Sequence, residues 1–252
     1  MEMKQRFLAT GLVTMALAMP AHADVVGVDF GVAGWQQNVS GNGTYDTGSG
    51  ATNIDVKDDL HLKDKQNGFF WVSIEHPVPI LPNVRLYGSK FSTDGQGQIN
   101  QTIQFGGATF PVSSTVASKF DVQQSGGVLY YELLDNVVSL DLGVDVRNLK
   151  GSMEMTGSGQ NEKADFDVWA PLLYARAEAS LPASFRIGAD GSYLGYSGNY
   201  LRDIRAWVAW QSPWVVGLEG GFRETGAKLN DVSNITADFK FGGPYIAVFV
   251  DF

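Results

Sequence analysis

An all-β, transmembrane, antiparallel up-and-down β-barrel is the fold class this sequence predicts. Three observations predict it: apolar and polar residues alternate along most of the chain, the connections between alternating segments are short and long in turn, and the first residues read as an export leader. Alternation places successive side chains on opposite faces of a strand. Two-faced strands joined by unequal connections suit a barrel with lipid outside and a polar lumen inside.

The composition narrows the alternatives. The chain has 252 residues, 44% of them hydrophobic and 18% charged, so it has enough apolar side chains to fold and too few charges for a disordered polymer. It contains no Cys, which removes disulfides, thiolate metal sites and thiol catalysis. Its three His leave little for a multi-histidine metal site. A formal charge of −9 argues against nucleic acid as a partner, because phosphate binding needs a basic face.

Residues 1–23 form the leader. Lys4 and Arg6 precede an apolar run from Phe7 to Met19, followed by Pro20 and the small-residue step Ala21-His22-Ala23. This is a cleaved signal peptide, because the run is shorter than the ~20 residues a membrane helix needs. The mature chain, 24–252, is read as one barrel domain.

The strands follow in order. In the first, Val26, Val28, Phe30 and Val32 oppose Gly27, Asp29 and Gly31. Phe70, Val72 and Ile74 oppose Trp71, Ser73 and Glu75. Val138, Leu140, Leu142, Val144 and Val146 oppose Ser139, Asp141, Gly143, Asp145 and Arg147. Phe185, Ile187 and Ala189 oppose Arg186, Gly188 and Asp190. Ile204, Ala206, Val208 and Trp210 oppose Arg205, Trp207 and Ala209, and Val216, Leu218 and Phe222 oppose Gly217, Glu219, Gly221 and Arg223. About ten strands result, with eight as the alternative count: 25–38, 68–77, 83–92, 117–133, 137–150, 164–180, 184–196, 200–211, 214–224 and 233–252. The connections 77–82, 134–136, 181–183 and 212–213 are short. Those at 39–67, 93–116 and 151–163 are long, polar and rich in Gly, Ser, Thr and Asn. An even count puts both ends of the barrel on the short-turn, periplasmic side. Trp210 and Trp214 flank a short turn, where an aromatic girdle belongs, and Tyr193, Tyr196 and Tyr200 cluster near the opposite rim.

The chain ends Tyr245-Ile246-Ala247-Val248-Phe249-Val250-Asp251-Phe252, with Ile246, Val248, Val250 and Phe252 on one face. This resembles the C-terminal assembly signal of Gram-negative outer-membrane β-barrels, and the resemblance implies that the barrel-assembly machinery reads it. Gly243-Pro244-Tyr245 and the step from Gly31 through Gly34 to Trp35 are similar to motifs of a small outer-membrane barrel family. That resemblance implies the cell outer membrane, with outer-membrane lipid as surroundings, and implies no activity.

The candidate chemistry is sparse. Barrel enzymes of the omptin and lipid-modifying types use His with Asp or Ser, and here only His61 and His76 remain after the leader. His61 lies near Asp58, Asp59 and Asp64, which offers an acid–base pair or oxygen ligands for calcium. A solvated acidic loop is the simpler reading, so no catalytic, cofactor-binding or metal residue is assigned and no cofactor is expected. The predicted inward charges are Asp29, Glu75, Arg85, Asp121, Asp141, Asp145, Arg147, Arg176, Glu178, Arg186, Asp190, Arg205, Glu219 and Arg223. Small barrels are filled by their own side chains, so these form an ion-paired plug, and Arg suits bidentate pairing with carboxylates. The function expected is structural or surface-interacting, with the long loops meeting an unnamed surface ligand. A narrow porin-like channel is the alternative, followed by a barrel enzyme or a soluble periplasmic sandwich.

Overall fold

Period-two patterning produces strands almost everywhere it occurs. The computed structural model describes residues 26–46, 51–232 and 235–252; the expected signal peptide lies outside them. Ten long strands run antiparallel: β1 (Gly27–Asp46), β3 (Lys65–Glu75), β4 (Asn83–Gln98), β7 (Thr115–Asp135), β8 (Val138–Gly157), β9 (Gln160–Leu181), β10 (Phe185–Tyr196), β11 (Asn199–Gln211), β12 (Val216–Val232) and β13 (Ile235–Asp251). Each pairs with its neighbours in chain order, and β13 pairs with β1 to close the sheet. At that seam Val28 and Phe252 exchange backbone hydrogen bonds of 3.3 and 3.0 Å. Closure matters physically, because an open edge in hydrocarbon would leave peptide groups unpaired. Three short strands decorate the long-hairpin rim: β2 (Ala51–Asp55) pairs with the outer part of β1, and β5 (Ile103–Phe105) pairs with β6 (Ala108–Phe110).

All ten barrel strands carry an exposed apolar row. Val32, Phe70, Leu86, Leu129, Val144, Leu173, Ile187, Ile204, Leu218 and Val248, one from each strand, are 45% to 73% exposed. A continuous belt of this kind is far larger than water tolerates and is what a bilayer requires. Trp210 and Trp214 lie at the short-turn rim and Tyr193 and Tyr196 at the other, all exposed.

Beyond the belt the polarity of the two faces inverts. Val39, Phe91, Val116, Val122, Met155 and Phe241 turn inward and are buried, while Lys90, Gln123 and Lys150 face out. The expected polar loops at 39–67, 93–116 and 151–163 are therefore corrected: much of each is strand. The third is a hairpin whose turn is only Ser158-Gly159, because β8 and β9 stay in register up to Gly157 and Gln160. An apolar interior holds these extensions together above the lipid. Val56, Leu60 and Leu62 from one loop and Ile99, Ile103 and Phe110 from another close over it.

The wall is uneven in height. β10 pairs with β9 only along 173–181. The outer part of β9, 160–172, therefore has β8 on one side and no paired strand on the other among the described residues.

Candidate functional site

The inward charges assemble in two layers across the lumen. Nearer the short-turn rim, Arg176 reaches Glu178 at 2.7 Å, Glu178 lies 3.4 Å from Arg186, and Arg186 lies 3.3 Å from Asp251. Tyr130 donates its hydroxyl to Glu75 at 2.8 Å, and the Trp71 indole donates to Asp29 at 2.7 Å. Asp141 and Arg85 are buried here too, 4% and 6% exposed. Arg85 stacks 5.4 Å from the Trp71 ring.

The middle layer is denser and centres on Asp203. One Asp203 carboxylate oxygen accepts from Arg223 at 2.7 Å, Arg147 at 3.1 Å and Gln124 at 3.1 Å; the other accepts from Arg223 Nε at 3.0 Å. Arg147 turns its remaining donors to Asp145 at 2.7 Å and the Tyr87 hydroxyl at 2.9 Å, and Tyr87 donates to Asp145 at 2.6 Å. Arg205 lies 2.6 Å from Asp190 and 3.4 Å from Glu219, which also accepts from Tyr245 at 2.6 Å. Aromatic rings fill the gaps: Arg223 lies 4.8 Å from Trp35 and 4.6 Å from Phe69, and Arg205 lies 5.0 Å from Trp71 and 4.9 Å from Trp207. Planar guanidinium groups suit both contacts, stacking on rings while their edges bind carboxylates. The cavity left between Arg85, Arg147, Arg205 and Arg223 holds about 60 Å³, room for a few waters.

Local sequence explains the packing. Small residues face the largest rings: a Cβ on Gly31 would come within 2.1 Å of Trp71, and one on Gly217 within 2.1 Å of Phe249. The narrow lumen accommodates indoles and phenyls because glycine stands opposite them.

Of the charges expected to face inward, Asp121 is the one corrected. It sits on the outer face, half-exposed, bonded to Ser92 and 2.9 Å from Lys119, while Phe120 and Val122 beside it pack inside. It lies above the belt, where the faces are inverted. Asp203, the hub of the middle layer, was not among the expected residues; nor were Tyr87, Gln124, Ser89 and Tyr245. Asp203 stands two residues before Arg205, on the same face, so parity alone could have found it. Ile246, Val248 and Phe252 point outward, as their alternation requires.

His61 and His76 are each held by backbone. His61 Nε2 lies 3.0 Å from the Gln98 carbonyl, with its ring against Gly97. His76 Nε2 lies 3.2 Å from the Pro82 carbonyl, and its Nδ1 accepts from Val78 N–H. The acidic loop uses its carboxylates as braces: Asp59 accepts from Asp55 N–H and Gln101, and Asp64 from Val39 N–H and Lys57. Among the described residues no group of three His or acidic side chains is arranged to hold a metal ion.

No family model and no curated protein matches the chain. Solved structures do. The outer-membrane protease OmpT of Escherichia coli is similar at a TM-score of 0.55 and 10% identity, covering 90% of this chain and 97% of that one. The transport unit of the autotransporter AIDA-I of Escherichia coli has a TM-score of 0.41 at 8% identity, covering 93% and 92%. The attachment invasion locus protein Ail of Yersinia pestis has 0.37 at 11%, covering 90% and 98%. At 10% identity the likeness to OmpT speaks for architecture alone. The chain has the closed, antiparallel, ten-stranded fold of Gram-negative outer-membrane β-barrels.

Proposed function

We propose that the protein is an integral outer-membrane barrel of structural or surface-interacting type, with a lumen sealed by its own side chains and without catalytic chemistry. The observation that carries this reading is Asp203, which is 8% exposed and binds both Arg223 on the neighbouring strand β12 and Arg147 on β8, three strands away around the barrel. A pore needs mobile or hydrated charges along a continuous path. Here the arginines are locked to carboxylates and rings, and the apolar storey above is capped by two loops. The short-turn rim then faces the periplasm, and the tall hairpins stand outside the cell as the interaction surface. The backbone contacts that occupy His61 and His76 support the non-catalytic part of the reading.

The test is conductance of the refolded mature chain in a planar bilayer, with insertion verified by protection of the belt from protease. A silent bilayer is the expected result. Discrete, reproducible current steps would replace the sealed barrel with a narrow channel.

A further inference from the structure

The strand register lays out an ordered polar surface on the outer wall. Lys90, Gln123, Lys150 and Asp167 are aligned partners on β4, β7, β8 and β9. One step further out, Ser92, Asp121, Ser152 and Asp165 form the next aligned row. Most of these residues line a groove of about 620 Å³ on the outside of the barrel. Directly below it come Asn148 and Trp169, which is 68% exposed, and then the apolar belt at Val146 and Leu173. The groove therefore stands where the belt ends, at the height of lipid headgroups.

The charges decide the chemistry. Lys119 neutralises Asp121 at 2.9 Å, Lys163 neutralises Asp165 at 2.7 Å, and Lys150 lies 3.9 Å from Asp167. A bare phosphate would meet these carboxylates as well as the amines, and the apolar residues of the lining, Val122 and Phe166, pack into the interior cluster, so the side chains that turn outward to meet a ligand are polar. Donors and acceptors instead alternate on a lattice about 4.8 Å wide across strands and about 7 Å long along them. Such a lattice matches a ligand whose many hydroxyls both donate and accept. We propose that this groove binds the saccharide headgroup of a glycolipid in the surrounding leaflet, whose acyl chains lie along the belt below. The lipid source follows from position, because Lys150 and Asp167 stand one outward-facing step above Asn148 and Trp169, where the apolar belt ends. The inference rests on the outer-membrane reading above.

The full mature chain, refolded in uncharged detergent, is titrated with lipopolysaccharide truncated to its inner-core sugars. Heat-modifiable gel migration is checked first; its absence would fail the membrane reading, independently of the groove. The expected result is saturable binding that weakens about tenfold in Gln123→Ala and in Asp165→Ala, one hydrogen bond each, and is unchanged in Arg202→Ala on the far wall. Unchanged affinity in both groove variants, or an equal loss in Arg202→Ala, overturns the site. Equal binding of phosphatidylglycerol overturns the saccharide chemistry, and equally tight binding of the free core oligosaccharide overturns the lipid source.

Discussion

Replacing Asp203 by Leu removes the carboxylate that Arg147 and Arg223 share. The consequences for the two differ. Arg147 keeps Asp145 at 2.7 Å and Tyr87 at 2.9 Å. Arg223 keeps only the Ser89 hydroxyl, at 3.2 Å, and its rings, so it becomes a buried cation without a counter-ion. Removing one partner of a buried pair costs about 3–5 kcal/mol, or roughly two to three and a half powers of ten in the folded-to-unfolded ratio. The assay is urea unfolding of the refolded barrel in micelles, followed by heat-modifiable migration and by tryptophan emission, since Trp35 lies against Arg223. The double variant Asp203→Leu/Arg223→Leu should recover a large part of the loss, because it removes the stranded charge as well. A cost below about 1 kcal/mol, the range of an exposed surface pair, would mean that water already reaches Asp203, and the sealed-lumen reasoning would fall.

Other outcomes follow from the same geometry. Asp145→Leu and Arg147→Leu should each lower the urea midpoint, with Arg147→Leu the milder at Asp203 because Arg223 still holds that carboxylate. Gly31→Ala should push Trp71 off its bond to Asp29, costing about 1–3 kcal/mol as an overpacked core does, and should change the near-UV circular dichroism. Val146→Lys, on the lipid face, should cost about 2–4 kcal/mol in bilayer refolding, whereas Asn148→Lys, one outward position further, should cost about 0–1 kcal/mol. Equal costs at the two positions would move the edge of the hydrocarbon away from where the belt ends.

The ten strands were legible because lipid-facing rows such as Val138 to Val146 leave a plain period of two. Strand lengths were less legible, and Asp121 shows why. Period two persists above the membrane, but lipid gives way to water outside and the interior becomes apolar. Val122 and Asp121 therefore exchange faces relative to the rule that holds for Val144 and Asp145, while the sequence alternates without interruption. The pattern carries the period and not the sign; the sign depends on where the bilayer stops. Pairings within the lumen were less legible still. Arg147 and Asp145 are two apart on one strand and Arg223 and Asp203 are diagonal neighbours in one hairpin, but Arg147 to Asp203 and Gln124 to Asp203 depend on which strands face each other across a closed sheet, which no local window contains.

The uneven wall bears on self-association. Ser180 N–H of β9 bonds to Val137 beside β8, and β9 keeps its register with β8 without a break. Alternation then turns the peptide groups of Asn161, Lys163, Asp165, Asp167 and Trp169 toward the side that no strand among the described residues occupies. Bare edges recruit other edges. Two copies inserted the same way up present these edges running in the same direction, so the antiparallel pairing that would join them by a twofold axis needs one barrel upside down. A bilayer forbids that arrangement, and a micelle does not. Lys163, Asp165, Asp167 and Pro171, which has no N–H to give, guard the edge as charges and proline do in soluble sheets. A dimer seen in detergent can thus be an inverted pair with no counterpart in the cell envelope, and oligomeric state is best measured after reconstitution in one orientation.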